Sequence, residues 1–139
     1  MRLDKNNIRD RIKDTMMETL KMEFIETDEP TLEMTMPVGK FNSQTMGVLH
    51  GGATIALAET AAGVASNVIC SEDESCYGIQ ISANHVSSAK QGETVKAIAK
   101  AMHIGKSTHV WVVEITSLTN NRLISTVTVT NFVAKSRKQ

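Results

Sequence analysis

Between Gly47 and Ser66 the chain reads GVLHGGATIALAETAAGVAS, and from Ala53 to Cys70 most positions are Ala, Ile, Leu or Val. A helix with no polar face is enclosed by other elements rather than laid on a surface, so the rest of the fold has to be built around this one. The chain is long enough for one such core. At 139 residues it fits a single domain over 1–139 and is too short for two ordinary ones.

On either side of this segment the period of the sequence changes. Residues 20–26 and LEMTMPV, 32–38, read as two strands joined through TDEPT, with Pro30 marking the turn. After SEDES, 71–75, four segments alternate or are rich in β-branched residues: CYGIQISANHVSSA, ETVKAIAKAMHI, STHVWVVEITSLT and RLISTVTVTNFVA. QG, GK and NN turn signals separate them. This pattern predicts an α+β fold, an antiparallel sheet curved around one long central helix. Ile8, Ile12 and Met16 recur every fourth residue, which places an apolar stripe on an N-terminal helix within 1–19, packed on the sheet's edge. The tail at 134–139 is expected to fray.

Lys plus Arg and Asp plus Glu number 15 each, so no overall charge excess points to nucleic acid or an acidic membrane. The opening MRLDKNNIRDRIKD lacks the apolar core of a signal peptide, and no apolar run is expected to span the roughly 20 residues a bilayer needs. A soluble cytoplasmic protein with no membrane or nucleic-acid partner is the expectation. Cys70 and Cys76 form one C-x5-C pair without suitably spaced histidines, which predicts plain thiols and no metal site. Eight methionines against few aromatics suit an adaptable core or pocket lining.

Within 51–71 Glu59 is the only carboxylate. Burying it unpaired costs several kcal/mol unless its proton affinity rises or it finds partners. Composition alone leaves two readings open. Glu59 lies on a solvated strip or bonds to a neighbouring strand, or it performs chemistry. His50-Gly51-Gly52, just before the helix, weighs toward chemistry: glycines allow close approach to the backbone, and the first amides of a helix present unpaired N–H groups and the positive end of its dipole. Such an arrangement suits an oxyanion. At 1.5 Å of rise per residue, Gly51 and Glu59 lie about 12 Å apart on one helix, too far to serve a single reacting carbonyl. Two copies paired about a two-fold axis, helices antiparallel, would bring the amide end of one to the carboxylate of the other. Two equivalent sites at a homodimer interface are therefore predicted.

Through Gln44, Gly47-Val48-Leu49-His50-Gly51-Gly52, Ala58-Glu59, Ser82-Ala83-Asn84-His85-Val86, His103-Ile104-Gly105 and Val110-Trp111 the sequence resembles the hotdog-fold acyl-CoA thioesterases. The similarity is to their PaaI-like branch, which contains the 1,4-dihydroxy-2-naphthoyl-CoA thioesterases and the enterobactin proofreading thioesterase. It covers roughly 20–133. It implies a hotdog fold in an obligate dimer, commonly paired again into a homotetramer. It also implies hydrolysis, without metal or cofactor, of an aryl acyl-CoA of the 1,4-dihydroxy-2-naphthoyl, hydroxybenzoyl or phenylacetyl type.

The resemblance further implies roles. Glu59 is the nucleophile or general base. The Gly51 amide polarises the thioester carbonyl, with Gly52 beside it, and His50 helps hold that oxygen or the leaving sulfur. Gln44 positions the acyl carbonyl or the water, and His85 lines the acyl pocket. Lys106, in the HIGKS turn, and Lys90, in SSAKQG, are candidates for the CoA phosphates. The naphthoyl enzymes carry a serine one helical turn after the glutamate, where this chain has Gly63. Two other classes share the fold. Hydratases and dehydratases place their histidine and acid differently, and non-catalytic acyl-CoA binders often lose the helix acid that is kept here.

Overall fold

The computed structural model describes residues 6–136. Two short helices, α1 (Ile8–Arg11) and α2 (Met16–Thr19), lead into strands β1 (Glu23–Ile25) and β2 (Leu32–Pro37). A 3-10 turn at Lys40–Asn42 precedes the central helix α3 (Gly51–Ile69). Four long strands follow: β3 (Glu74–His85), β4 (Thr94–Ile104), β5 (Thr108–Ser117) and β6 (Leu123–Lys135). All six strands form one antiparallel sheet in the order β1-β2-β4-β5-β6-β3. The sheet lies across α3, which is the expected hotdog arrangement.

Alternation accounts for the core. Met34 and Met36 of β2, Val95, Ala97 and Ala99 of β4, Val113 and Ile115 of β5, and Val127 and Val129 of β6 all face inward and are buried. They meet Leu57, Ala58, Ala61, Ala62 and Ala65 on α3, which are also buried. The alanine spacing of three and four residues keeps one narrow, small-residue face toward the sheet, so helix and strands approach closely.

Four expectations need correction. The helix predicted within 1–19 is divided: Asp14 sits in the left-handed region at φ 60°, and Met16, expected on the apolar stripe, is 59% exposed. Ile8 alone of the stripe is fully covered, and α1 does pack on the edge strand β1, with the Arg9 guanidinium 5.5 Å from the Phe24 ring. The residues before Asn6 lie outside the described residues. The tail is ordered further than expected, Ala134 and Lys135 pairing with Ser75 and Glu74 in the sheet and Ser136 N donating to Asp73 O at 2.6 Å; 137–139 lie outside the described residues.

The other two corrections concern α3. An 18-residue window within it, of mean hydropathy 1.2, is long and apolar enough to cross a membrane by length and composition, a property that the core helix of a soluble fold also has; the expectation that no apolar run reaches this length is corrected to that extent. The helix is also not surrounded within one chain. The sheet covers a single side, leaving Gly52, Glu59 and Ile69 exposed and Ile55, Ala56, Thr60 and Gly63 half-covered. Glu59 is thus not buried by its own chain.

Both cysteines are free and buried, as expected of plain thiols. Burial, reinforced by the neighbouring Cys70, pushes the Cys76 thiol up to about 12, which leaves it protonated and unreactive at neutral pH.

Candidate active site

The start of α3 is fixed by a residue the motif does not contain. Buried Asn42 donates from Nδ2 to Pro37 O at 2.9 Å and accepts Gly39 N–H at 3.0 Å, while its own carbonyl accepts His50 N–H at 2.8 Å. This ties the loop 43–49 to the end of β2. Gly47, at φ 82°, turns the loop back so that Val48 pairs with Lys90 and Ser43 with Leu49. A side chain at that φ would be strained.

His50 is the N-cap of α3. Its Nδ1 accepts the Gly52 N–H at 2.8 Å, so a neutral His50 carries its proton on Nε2. The Gly51 amide has no acceptor among the described residues. It keeps an unpaired N–H at the positive end of a 19-residue helix.

His85, at the end of β3, lies against Gly51. A Cβ on Gly51 would stand 2.8 Å from His85 Nε2, so only glycine lets the imidazole lie this close. The other ring nitrogen, Nδ1, is 2.6 Å from Ser125 Oγ, a buried hydroxyl on β6. Gln44, Gly51 and His85 together line a cavity of about 220 Å³, with Thr54 and Ser87 on its walls. The Gln44 side chain is turned back onto Met46 N–H, and its carboxamide oxygen is the acceptor.

The remaining predicted residues lie elsewhere. His50 and Gly52 line a different hollow, of about 310 Å³, under Leu20 and Phe41. Glu59 lies two helical turns on and reaches across Gly78 of β3. A Cβ on Gly63, one turn further, would meet nothing within 4 Å. Lys90 is exposed beside the Gln44 loop, its N–H donating to Glu93 Oε2 at 2.6 Å. Lys106 borders a hollow at the opposite end of α3, with Ile69, Cys70 and Glu74. One chain therefore gathers Gln44, Gly51 and His85, and sets Glu59 and Lys106 apart from them. Among the described residues no group of three or more His, Cys, Asp or Glu is placed to hold a metal ion.

A second polar cluster has no counterpart in the motif. Ser66 Oγ accepts Trp111 Nε1–H at 2.7 Å and Asn131 Nδ2–H at 2.8 Å, and lies 2.9 Å from His109 Nδ1. Asn131 Nδ2 also donates to Ala62 O at 3.1 Å, while its buried Oδ1 meets no donor among the described residues. The cluster ties the second half of α3 to β5 and β6. Ser125, Asn42 and Asn131 are ordinary polar residues in the sequence; only strand register and loop closure give them their positions.

The profile of the Thioesterase superfamily matches residues 46–124, the stretch from the Gln44 loop to the start of β6. A 1,4-dihydroxy-2-naphthoyl-CoA hydrolase of Listeria monocytogenes is 39% identical over 88% of this chain and 98% of its own length. The proofreading thioesterase EntH of Cronobacter turicensis is 35% identical over 70% of each chain. The crystal structure of a thioesterase from Haemophilus influenzae superposes with a TM-score of 0.90 at 30% identity, covering 96% of this chain and 92% of that one.

Proposed function

The chain belongs to the thioesterase superfamily and is a thioester hydrolase; from that premise we propose that it cleaves an aryl acyl-CoA to the free acid and CoA. The acyl group is of the 1,4-dihydroxy-2-naphthoyl, hydroxybenzoyl or phenylacetyl type, the first being the substrate that names the Listeria hydrolase. The observation that carries this reading is the unpaired Gly51 amide on the wall of a cavity shared with Gln44 and His85. An N–H held there by the helix is ready to stabilise the charge that develops on a thioester oxygen.

In the proposed reaction the Gly51 N–H bonds the carbonyl oxygen. The Glu59 carboxylate attacks the carbonyl carbon, or removes a proton from a water that does so. The carbon–sulfur bond then breaks and the CoA sulfur leaves, taking up a proton that comes from the water; where Glu59 itself attacks, this step leaves an acyl–Glu59 anhydride, which that water then hydrolyses to the free acid and the restored carboxylate. Glu59 lies about 12 Å from Gly51 along its own helix, so the carboxylate in each site belongs to a second copy of the chain.

The sheet supports that pairing. β3 is the longer of its two outer strands, 12 residues against three in β1, and presents Tyr77 and Ile79, each 60% exposed. Joining two copies at this edge would pair its open N–H and C=O groups and carry each Glu59 to the junction. It would also let Lys90 of one copy and Lys106 of the other approach one CoA, since they sit at opposite ends of α3. Pairing of such dimers completes the proposed tetramer.

The test is turnover of 1,4-dihydroxy-2-naphthoyl-CoA, benzoyl-type CoAs and straight-chain acyl-CoAs, read by release of free thiol. Aryl substrates should turn over fastest. Glu59→Gln and Glu59→Ala should lower kcat by on the order of 10³ or more while the oligomer stays folded. A folded Glu59→Ala protein with full activity would refute the role.

A further inference from the structure

Gly78 lies on β3 directly beneath the Glu59 carboxylate. A Cβ built on it would overlap Glu59 Oε2 and lie 3.3 Å from Cδ. The geometry points to Gly78 as a positioning residue for Glu59, one whose missing side chain is the seat of the carboxylate. This rests on the proposed role of Glu59 and adds to it a second residue on another element.

Backbone conformation does not account for this glycine. Among the described residues, glycines with positive φ are Gly47 and Gly92, so Gly78 holds a conformation open to any residue. What it supplies is space. The register of β3 against β6 shifts between Gly78 and Gln80, so the bulge begins at the seat itself. Bulges bend an edge strand and re-aim what it carries.

The seat is also fixed from the other side. Asn131 is the partner of Gly78 across the β3–β6 ladder, and its Oδ1 is 3.6 Å from the same Cβ point. Both bonds from its Nδ2 go to α3, to Ala62 O and Ser66 Oγ. β6, to which β3 is paired at this point, is thereby held to α3 one and two turns beyond Glu59, which opposes relief of a Cβ on Gly78 by sliding sheet and helix apart. The carboxylate is the movable part. It has somewhere to go, because the space at Gly63 is open. A methyl group at 78 therefore displaces the carboxylate without breaking the fold.

Gly78→Ala should lower kcat at least tenfold with KM changed less than about twofold, as loss of an aligned attacking group requires. In the Glu59→Asp background, where the shorter acid clears the new methyl, the same substitution should cause no further loss. A stability cycle gives an independent reading: Gly78→Ala should lower the melting temperature of the wild-type protein more than that of Glu59→Ala, in which the overlap is gone. Equal losses in both backgrounds, full activity of Gly78→Ala, or unfolding of Gly78→Ala with and without Glu59 would each overturn the proposal. Failure of the underlying reading looks different, since Glu59→Ala would then stay active.

Discussion

The indole N–H of Trp111 donates to the hydroxyl of Ser66 at 2.7 Å, across the buried boundary between β5 and α3. The same oxygen accepts Asn131 Nδ2–H, which uses both of its lone pairs, so its own hydrogen is given to His109 Nδ1. One hydroxyl satisfies three buried side chains. Ser66→Ala strands the Trp111 N–H, His109 Nδ1 and one Asn131 Nδ2 hydrogen, the other still bonding Ala62 O; at roughly 1–3 kcal/mol for each stranded group, partly relieved by relaxation, it should cost about 2–4 kcal/mol. Urea unfolding would show a lower midpoint at unchanged slope.

The bond from Ser66 also sets the tautomer of neutral His109, whose proton is then on Nε2. Burial holds its imidazole below the ordinary value of 6.5, the nearby Glu74 carboxylate opposes that shift, and His103 adds to it. The unfolded chain then takes up a proton at a higher pH than the folded one. The stability contributed is complete above about 6.5 and is lost as pH falls from there toward the lowered folded value. The melting temperature should be level above pH 7 and decline below about 6.5. His109→Asn, which keeps an acceptor near the position of Nδ1 and does not titrate, should flatten that decline.

Acid should act again in a separate range through Glu93. The backbone N–H of Lys90, then the Ser117 hydroxyl and Arg122, hold its carboxyl below the ordinary 4.5. Its contribution is present above 4.5 and lost as pH falls through the lowered value. Arg122→Ala removes the bonds to Glu93 and to Ser88 O. It should loosen the loop that carries Lys90, seen as faster amide exchange over 86–93.

Gly51→Ala places a methyl 2.8 Å from His85 Nε2 and must push the imidazole off the helix end. The amide remains but its surroundings are rearranged, and kcat should fall by on the order of 10². Steady-state kinetics would record it, with the gel-filtration elution volume unchanged from that of the wild-type protein.

Mixed oligomers test whether each site is shared. A dimer of one Glu59→Ala chain and one Gly51→Val chain has one doubly damaged site and one undamaged site if the two residues come from different copies. Random mixing of the two inactive proteins should then restore about a quarter of wild-type activity. Sites built within a single chain would give no recovery.

Much of this architecture was legible because its signals are local. The apolar run from Ala53 to Cys70 and the alternation after residue 75 predict α3 and four long strands. Glycines beside a histidine at a helix start point to the Gly51 amide. The exposure of Glu59 was not legible: an all-apolar helix reads the same whether one chain or two enclose it. The break at Asp14 escapes a pattern of spacing, since Ile8, Ile12 and Met16 keep their period across it. Ser125, Asn131 and Gly78 matter only through register, by facing His85, Gly78 and Glu59 from distant parts of the chain.

The outer strand β3 bears on how the protein must be handled as well as on how it works. Twelve residues of sheet margin, with Tyr77 and Ile79 uncovered, form a template that any extended segment can join. Under the proposed pairing, a newly made chain would carry this margin bare until a like chain met it. Strong dilution or a substitution that weakens the junction should therefore yield precipitate rather than soluble single chains, and a charged residue in place of Ile79 should reverse that outcome.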